Sequence, residues 1–285
     1  MDLVVLVTTD QLQRIFPCTI QNGQSTLHLN HTPSSNMSQA LFELIDNRRI
    51  TKIRRVSTPV VRGESSLFAK IQTLDSIKAK IRVTLGKPLR NGRFDWPVEE
   101  LLNTIEAKKR GADVPALIGF GYKKSRLGIT QEFFIITRLL DQHIDGLQWL
   151  ERNPARVETL IKKSFAALRS LHMRRITHMD LWVANLMFDE QGKQSAKAID
   201  LENCFHSTPQ YSSETLGFQF GFFYRREIYR FITEAQYDEL VKTALDQYEH
   251  LNAEKFTTFY QAGKHAKIGR KERRRIFLNG ILDLG

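Results

Sequence analysis

Cysteine is nearly absent. Cys18 and Cys204 are the only two in 285 residues, which excludes a disulfide framework and a cysteine metal cluster and points to a reducing compartment. No apolar run approaches the roughly 18 residues that span a bilayer. The opening "MDLVVLVTTD" holds five consecutive apolar residues after Asp2. That is too short for a signal-peptide core and lacks a basic start, so it reads as a strand. Neither G-x-G-x-x-G nor G-x-x-x-x-G-K-[ST] occurs, which argues against a P-loop NTPase. Internal repeats and low-complexity linkers are missing too. Acidic residues are in deficit: 31 Asp and Glu against 42 Lys and Arg leave a net charge of +11. Such a field favours anionic partners: nucleotides, nucleic acid, phosphorylated glycolipid or an anionic membrane face. The bland alternative is a merely soluble basic surface.

What is present is enough apolar material for a sizeable core, 41% of the chain with 18 Phe, in one large domain or two lobes around a cleft. Residues 1–45 are mixed, with a polar loop at "HTPSSNMSQ". From "ITKIRRVS" to "SSLFAKIQT" the chain alternates and is β-branched, which predicts strands, while "IKAKIRVTL" is ambiguous between strand and helix. "VEELLNTIEAKKRG" reads as a helix, with Pro97 at its start and Gly111 after a basic last turn. "ALIGFGY" and "EFFIITRLL" are strand-like. A long helix follows in "ARVETLIKKSFAALRSLHMRR", with Val157, Leu160, Ile161, Phe165, Leu168 and Leu171 on one stripe. "NLMFD" and "SAKAIDLE" form a predicted hairpin, and the chain is largely helical from about Tyr224. A strand-rich part, residues 1–140, thus precedes a helix-rich part, residues 141–285, with the hinge near Arg138–Gln142.

The decisive stretch is "RRITHMDLWVANLMFDEQG", residues 174–192. Asp180 lies in a loop after a long helix, Asn185 begins a strand five positions later, and Asp200 ends the paired strand fifteen positions beyond Asn185. The hairpin sets Asn185 and Asp200 side by side at one rim, where two hard oxygen ligands can share a magnesium ion. Asp180 is then left to orient or deprotonate an attacking hydroxyl. This H-x-D-x-x-x-x-N pattern, followed by a hairpin and an Asp-led turn, is the phosphoryl-transfer layout of the protein-kinase fold, α+β and bilobal. His178 by itself reads as a packed loop residue that braces backbone; Asp180 and Asn185 taken singly read as turn and cap residues.

Upstream, "SLFAKIQ" is a strand from which Lys70 projects, and Glu100 opens the "VEELLNTIEAKKRG" helix. A strand lysine held by a helix carboxylate keeps an ammonium on the α- and β-phosphates of ATP. Lys78 and Lys80 compete with Lys70, and Glu99 with Glu100. Gly63, in "VVRGESS", is the candidate for a turn covering the phosphates, an ordinary hairpin turn being the alternative.

These motifs resemble the bacterial lipopolysaccharide kinases that phosphorylate the inner core on heptose or 3-deoxy-manno-octulosonic acid (Kdo). "LFAKIQ", "EELLNTIEAKKRGADVPALIGFG", "FFIITRLL", "LHMRRITHMDLWVANLMFD" and "AIDLEN" carry the resemblance, from about Ser66 to Phe205, roughly half the chain. It implies a protein-kinase-like fold, ATP with magnesium, and a sugar hydroxyl as acceptor at the cytoplasmic face of the inner membrane. By position, Asp180 would be the base, Asn185 and Asp200 the metal ligands, and Lys70 a phosphate ligand. Met179 stands where regulated protein kinases have the Arg that clamps a phosphorylated loop. Glu202 stands where a DFG turn has Gly, no Ala-Pro-Glu follows, and Trp182 replaces a Lys that touches the γ-phosphate in Ser/Thr kinases. Another group must then neutralise that charge. Trp182 is open between stacking on a sugar and packing the loop.

The run "GKHAKIGRKERRRIF", with Lys264, Lys267, Arg270, Lys271, Arg273, Arg274 and Arg275, lies far along the chain from these motifs. It is expected to meet an anionic leaflet, at about 1 kcal/mol per charge, or the phosphates of a lipid A acceptor; the alternative is a solvated helix face. No recognised nucleic-acid module accompanies it, so nucleic acid is not an expected partner. Three readings stand: a lipopolysaccharide-core sugar kinase, a kinase-fold phosphotransferase for another small molecule or protein, and a non-catalytic binding module of the same fold.

Overall fold

The computed structural model describes residues 9–47, 55–62 and 65–282. The chain folds as two compact units, residues 1–105 with 115–141 and residues 106–114 with 142–285.

The first unit contains α1 (Thr9–Ile15), β1 (Cys18–Asn22), β2 (Ser25–Leu29), α2 (Ser35–Asn47), β3 (Arg55–Arg62), β4 (Ser65–Thr73), α3 (Ile77–Thr84), α4 (Trp96–Lys109), β5 (Leu117–Lys124) and β6 (Thr130–Arg138); the last turn of α4 belongs to the second unit. The strands form an antiparallel sheet in the order β1-β2-β5-β6-β4-β3. Period-two alternation splits β4. Leu67, Ala69 and Ile71 join Leu27, Leu29, Ile118, Phe134 and Ile136 under α2, which inserts Met37, Ala40, Leu41 and Ile45. Lys70 and Gln72 therefore take the opposite face of the strand.

Two local readings are revised. "HTPSSNMSQ" is a loop only to Ser34, whose Oγ accepts from Met37 N at 3.2 Å and starts α2. The apolar spacing of Met37, Ala40, Leu41 and Ile45 then carries the helix on. "IKAKIRVTL" is helix, because Ser76 caps it by accepting from Ala79 N. The opening residues 1–8, expected as a strand, lie outside the described residues.

The second unit contains β7 (His143–Asp145), α5 (Gly146–Arg152), α6 (Val157–Met173), β8 (Thr177–His178), β9 (Leu186–Asp189), β10 (Lys197–Ala198), β11 (Cys204–Phe205), α7 (Ser212–Arg225), α8 (Glu234–Leu245), α9 (Ala253–His265) and α10 (Arg270–Asn279). The stripe Val157, Leu160, Ile161, Phe165, Leu168 and Leu171 is buried along α6. Phe165 meets Phe220 edge-to-face at 4.6 Å. Helices α7 and α9 pack backbone against backbone: a Cβ on Gly221 would overlap the Tyr260 carbonyl oxygen and come within 2.8 Å of Lys264 N. Neither atom can move without breaking α9. Gly221→Ala is therefore expected to destabilise the protein by about 3 kcal/mol, the upper range for overpacking. A urea midpoint shift worth less than about 1 kcal/mol would show that the two helices are not this close.

Candidate active site

In the first unit, Lys70 Nζ donates to Glu100 Oε1 at 2.6 Å and to Oε2 at 2.7 Å. The two side chains are 14% and 8% exposed. Gln72, buried two residues along the same strand face, donates to Glu100 Oε2 at 3.0 Å, so the carboxylate is held from two points. The competing residues are engaged elsewhere or lie open to solvent. Glu99 accepts from Arg93 Nε at 3.1 Å and Phe94 N at 2.8 Å, Lys80 donates to Gln131 at 2.6 Å, and Lys78 is exposed. Gly63 lies outside the described residues. A cavity of about 560 Å³, lined by Leu29, Met37, Leu67, Ile118 and Arg138 among others, sits on the α2 side of the sheet, the face that Lys70 does not use.

In the second unit, the ladder between β8 and β11 pairs His178 with Cys204. The buried His178 ring is spanned on both nitrogens: Nε2–H donates to Ile199 O at 3.2 Å, and Nδ1 accepts from Asp180 N at 3.2 Å. Burial holds its pKa below the ordinary histidine value, so the ring stays neutral and ties the loop to the hairpin strand.

The β9–β10 ladder pairs Leu186 with Ala198 and Met187 with Lys197. It continues through Ile199 N, which donates to Asn185 O at 3.0 Å. Asn185 thus faces Ile199, and Asp200 is the next residue. The hairpin closes at residues 189–192, which answers why the apolar run ends in a polar turn: Gly192 has φ +66°, and the Asp189 carboxylate accepts from Lys193 N at 2.9 Å and Gln194 N at 2.7 Å.

Asn185 Nδ2 donates to the Asp180 carbonyl at 2.8 Å. A carbonyl only accepts, so this contact orients the amide and leaves Oδ1 as the atom for another partner. Asp200 adopts φ +60°, ψ +54°, the left-handed region that Asp tolerates better than bulky residues. A 3₁₀ turn at Leu201–Asn203 follows. The structure thus joins Lys70 with Glu100 in one unit, and gathers Asp180, Asn185 and Asp200 around one loop and hairpin of the other.

The C-terminal run does not behave as a remote charged tail. Arg273 Nη1 donates to Asp180 Oδ1, and Arg270 Nη2 to Glu202 Oε1. Arg274 Nε donates to Asn203 Oδ1 at 2.8 Å and its Nη2 to Glu202 O at 3.3 Å. Lys264 is wholly enclosed and bonds Glu234 at 2.6 Å and Asp238 at 2.9 Å. The expectation that this run as a whole faces a membrane or lipid is therefore corrected. Arg270, Arg273 and Arg274 recur at i, i+3 and i+4, so one helix face carries all three, and buried Ile276 and Phe277 seat α10 in the core with Phe205 and Phe222. That spacing was readable in the sequence; its target was not. Glu202, in place of a glycine, is 1% exposed and neutralised by Arg270. Trp182 is partly buried beneath Arg226, whose guanidinium lies 4.1 Å from the ring centre.

A kinase-family profile matches most of the chain, which is therefore a kinase, an enzyme, here with a strand-rich and a helix-rich unit. It belongs to the lipopolysaccharide kinase (Kdo/WaaP) family, whose profile matches residues 46–243. A search of curated protein sequences finds no match. Among solved structures, the chain is similar to WaaP in complex with acyl carrier protein, with 15% identity, 78% of this chain and 99% of that chain covered and a TM-score of 0.40. It is also similar to the bifunctional kinase-methyltransferase WbdD, with 15% identity, 92% and 53% covered and a TM-score of 0.45. A third is an Stt7 homologue from Micromonas algae soaked with ATP, with 14% identity, 65% and 55% covered and a TM-score of 0.38. The chain thus spans about half of the WbdD and Stt7-homologue chains. Among the described residues, no helix is long and apolar enough to cross a membrane.

Proposed function

We propose that this kinase transfers the γ-phosphoryl group of ATP, with magnesium, to a sugar hydroxyl of the lipopolysaccharide inner core, on heptose or Kdo. Residues 1–140 supply the nucleotide side, with Lys70 on the phosphates and Glu100 holding its ammonium. Residues 141–285 supply Asp180 as base and Asn185 and Asp200 as metal ligands. The carrying observation is the Asn185 amide: its nitrogen is spent on the Asp180 loop, so its hard oxygen is left for a cation, on the residue paired with Ile199, the neighbour of Asp200. A carboxylate and an amide oxygen suit magnesium. When bound, the ion neutralises phosphate charge during transfer. Family membership supports the sugar acceptor and, with it, work at the cytoplasmic face of the inner membrane. The exposed Lys267 and Lys271 are the part of the basic run offered to an anionic leaflet or glycolipid.

The test is incubation with γ-labelled ATP and magnesium, with and without heptose- and Kdo-containing lipopolysaccharide. Label is expected in the lipopolysaccharide. ATP turnover that passes no label to either sugar would sink the acceptor half. Lys70→Ala is expected to weaken ATP binding about 10- to 100-fold, the value of a charge-assisted contact, and Lys80→Ala to leave it unchanged, because Lys80 is held by Gln131. Calorimetric titration showing the reverse would move the phosphate ligand from β4 to α3.

A further inference from the structure

We propose that Arg273, delivered by the C-terminal helix α10, is a catalytic residue of this kinase: it holds the base Asp180 and contacts the transferring phosphoryl group. The assignment rests on the phosphotransferase reading above.

The pair is built rather than incidental. Arg273 and Asp180 are 93 positions apart, and their side chains are only 11% and 13% exposed. The guanidinium lies 4.8 Å from the ring centre of Phe222, and Nε reaches Gly269 O at 3.4 Å, so its plane is fixed. Each partner is half used. Nη1 takes Asp180 Oδ1, while Nη2 of Arg273 and Oδ2 of Asp180 make no hydrogen bond among the described residues. Neighbouring Arg270 and Arg274 anchor the same helix to Glu202 and Asn203, so Arg273 has little freedom to leave.

The chemistry explains the arrangement. In the transfer, a lone pair of the acceptor hydroxyl oxygen forms a bond to the γ-phosphorus. The bond from that phosphorus to the β–γ bridging oxygen breaks, ADP leaves with the electron pair, and the hydroxyl proton passes to Asp180 Oδ2. A base within hydrogen-bond reach of the attacking oxygen stands one atom from the phosphoryl group. Its negative charge there faces the negative charge of the nucleotide. A guanidinium on the far oxygen of that carboxylate offsets the repulsion, and its second terminal nitrogen is the donor left to meet phosphoryl oxygens as they gather charge. The loop supplies no such cation itself: position 182, where a lysine is expected, is Trp. Of the basic groups with described partners around this loop, Arg226 is laid on Trp182 and Arg270 and Arg274 on residues 202–203. Arg273 alone among these is on Asp180.

The experiment compares wild type, Arg273→Gln, Arg273→Lys, Asp180→Asn and the double variant Asp180→Asn/Arg273→Gln. An arginine on a transferring phosphoryl group contributes about 10³-fold or more to kcat. Arg273→Gln should lose about that much, with KM for ATP rising far less than kcat falls, and Arg273→Lys should recover part of it. In the Asp180→Asn background the same change should have little further effect. A second readout needs no turnover: the preference of wild type for a non-hydrolysable ATP analogue over ADP, by calorimetry with magnesium, should shrink in Arg273→Gln. An active wild type with Arg273→Gln within about threefold of it, effects that simply add in the double variant, or an unchanged triphosphate preference would overturn the assignment. So would faster turnover in Arg273→Gln, the mark of a contact that blocks the base. A wild type that binds no nucleotide would instead sink the phosphotransferase reading beneath it.

Discussion

Asp180→Asn is expected to lower turnover by about 10²–10⁴-fold, the usual contribution of a positioned general base, while ATP binding by calorimetry stays nearly intact. Asn keeps the shape and can still accept from Arg273, so the loop has no steric reason to move. The Asp180 backbone carbonyl still receives Asn185 Nδ2, and the backbone N–H still meets His178 Nδ1. What is lost is the acceptor for the hydroxyl proton. In the proposed reading nucleotide binding draws on Lys70, which lies on β4 in the other unit. An Asn variant with turnover within tenfold of wild type would remove Asp180 as the base. A variant that also lost ATP affinity would mean that the substitution disturbs the loop rather than the chemistry.

The second large effect is on stability. His172 Nε2–H donates to Gln219 Oε1 at 2.8 Å, and Gln219 Nε2 donates to His178 O at 3.0 Å, next to the loop that carries Asp180. Burial pushes the His172 pKa down to about 4, and burial also lowers His178 and His28. The unfolded chain therefore binds protons that the folded chain refuses. Stability is complete above about pH 6.5 and is lost as pH falls toward 4. His172 by itself accounts for about 2 kcal/mol between pH 7 and pH 5, and the other two histidines act in the same direction. The carboxylates held low, Asp113 by Lys197 and Ser195 and Asp189 by backbone N–H groups, lose their contribution only further into the acid range. Urea midpoints at pH 7, 6 and 5 should fall steeply for wild type and less steeply for His172→Gln, which cannot titrate. Equal slopes would show that His172 is not the group being protonated.

Much of the site's raw material was readable along the chain. The spacing from His178 to Asp180 and Asn185, and on to Asp200, is local, since a short loop and a hairpin fix those positions relative to one another. The lysine strand and glutamate helix were likewise visible as patterns. Lys70 and Glu100 were the expected pair there, with Lys80 and Glu99 as competitors. Alternation on β4 turns Lys70 toward Glu100, whereas an N-cap at Ser76 puts Lys80 on a helix. That decision turns on one hydroxyl, too weak a signal against an alternating apolar pattern.

Composition and local periodicity by themselves determined that a strand-rich part precedes a helix-rich one, the hairpin that carries Asn185 and Asp200, and the charge of +11. Only the tertiary structure decided where that charge goes. Read along the chain, Arg270, Arg273 and Arg274 are a basic run distant from every motif. Folded, they lie on Glu202, Asp180 and Asn203, separated from them by 68, 93 and 71 positions. The reason is physical: a helix face fixes which side chains project together, but what that face meets depends on the packing of Phe205, Phe222, Ile276 and Phe277 into one cluster. Contacts of such separation leave no mark on local sequence pattern.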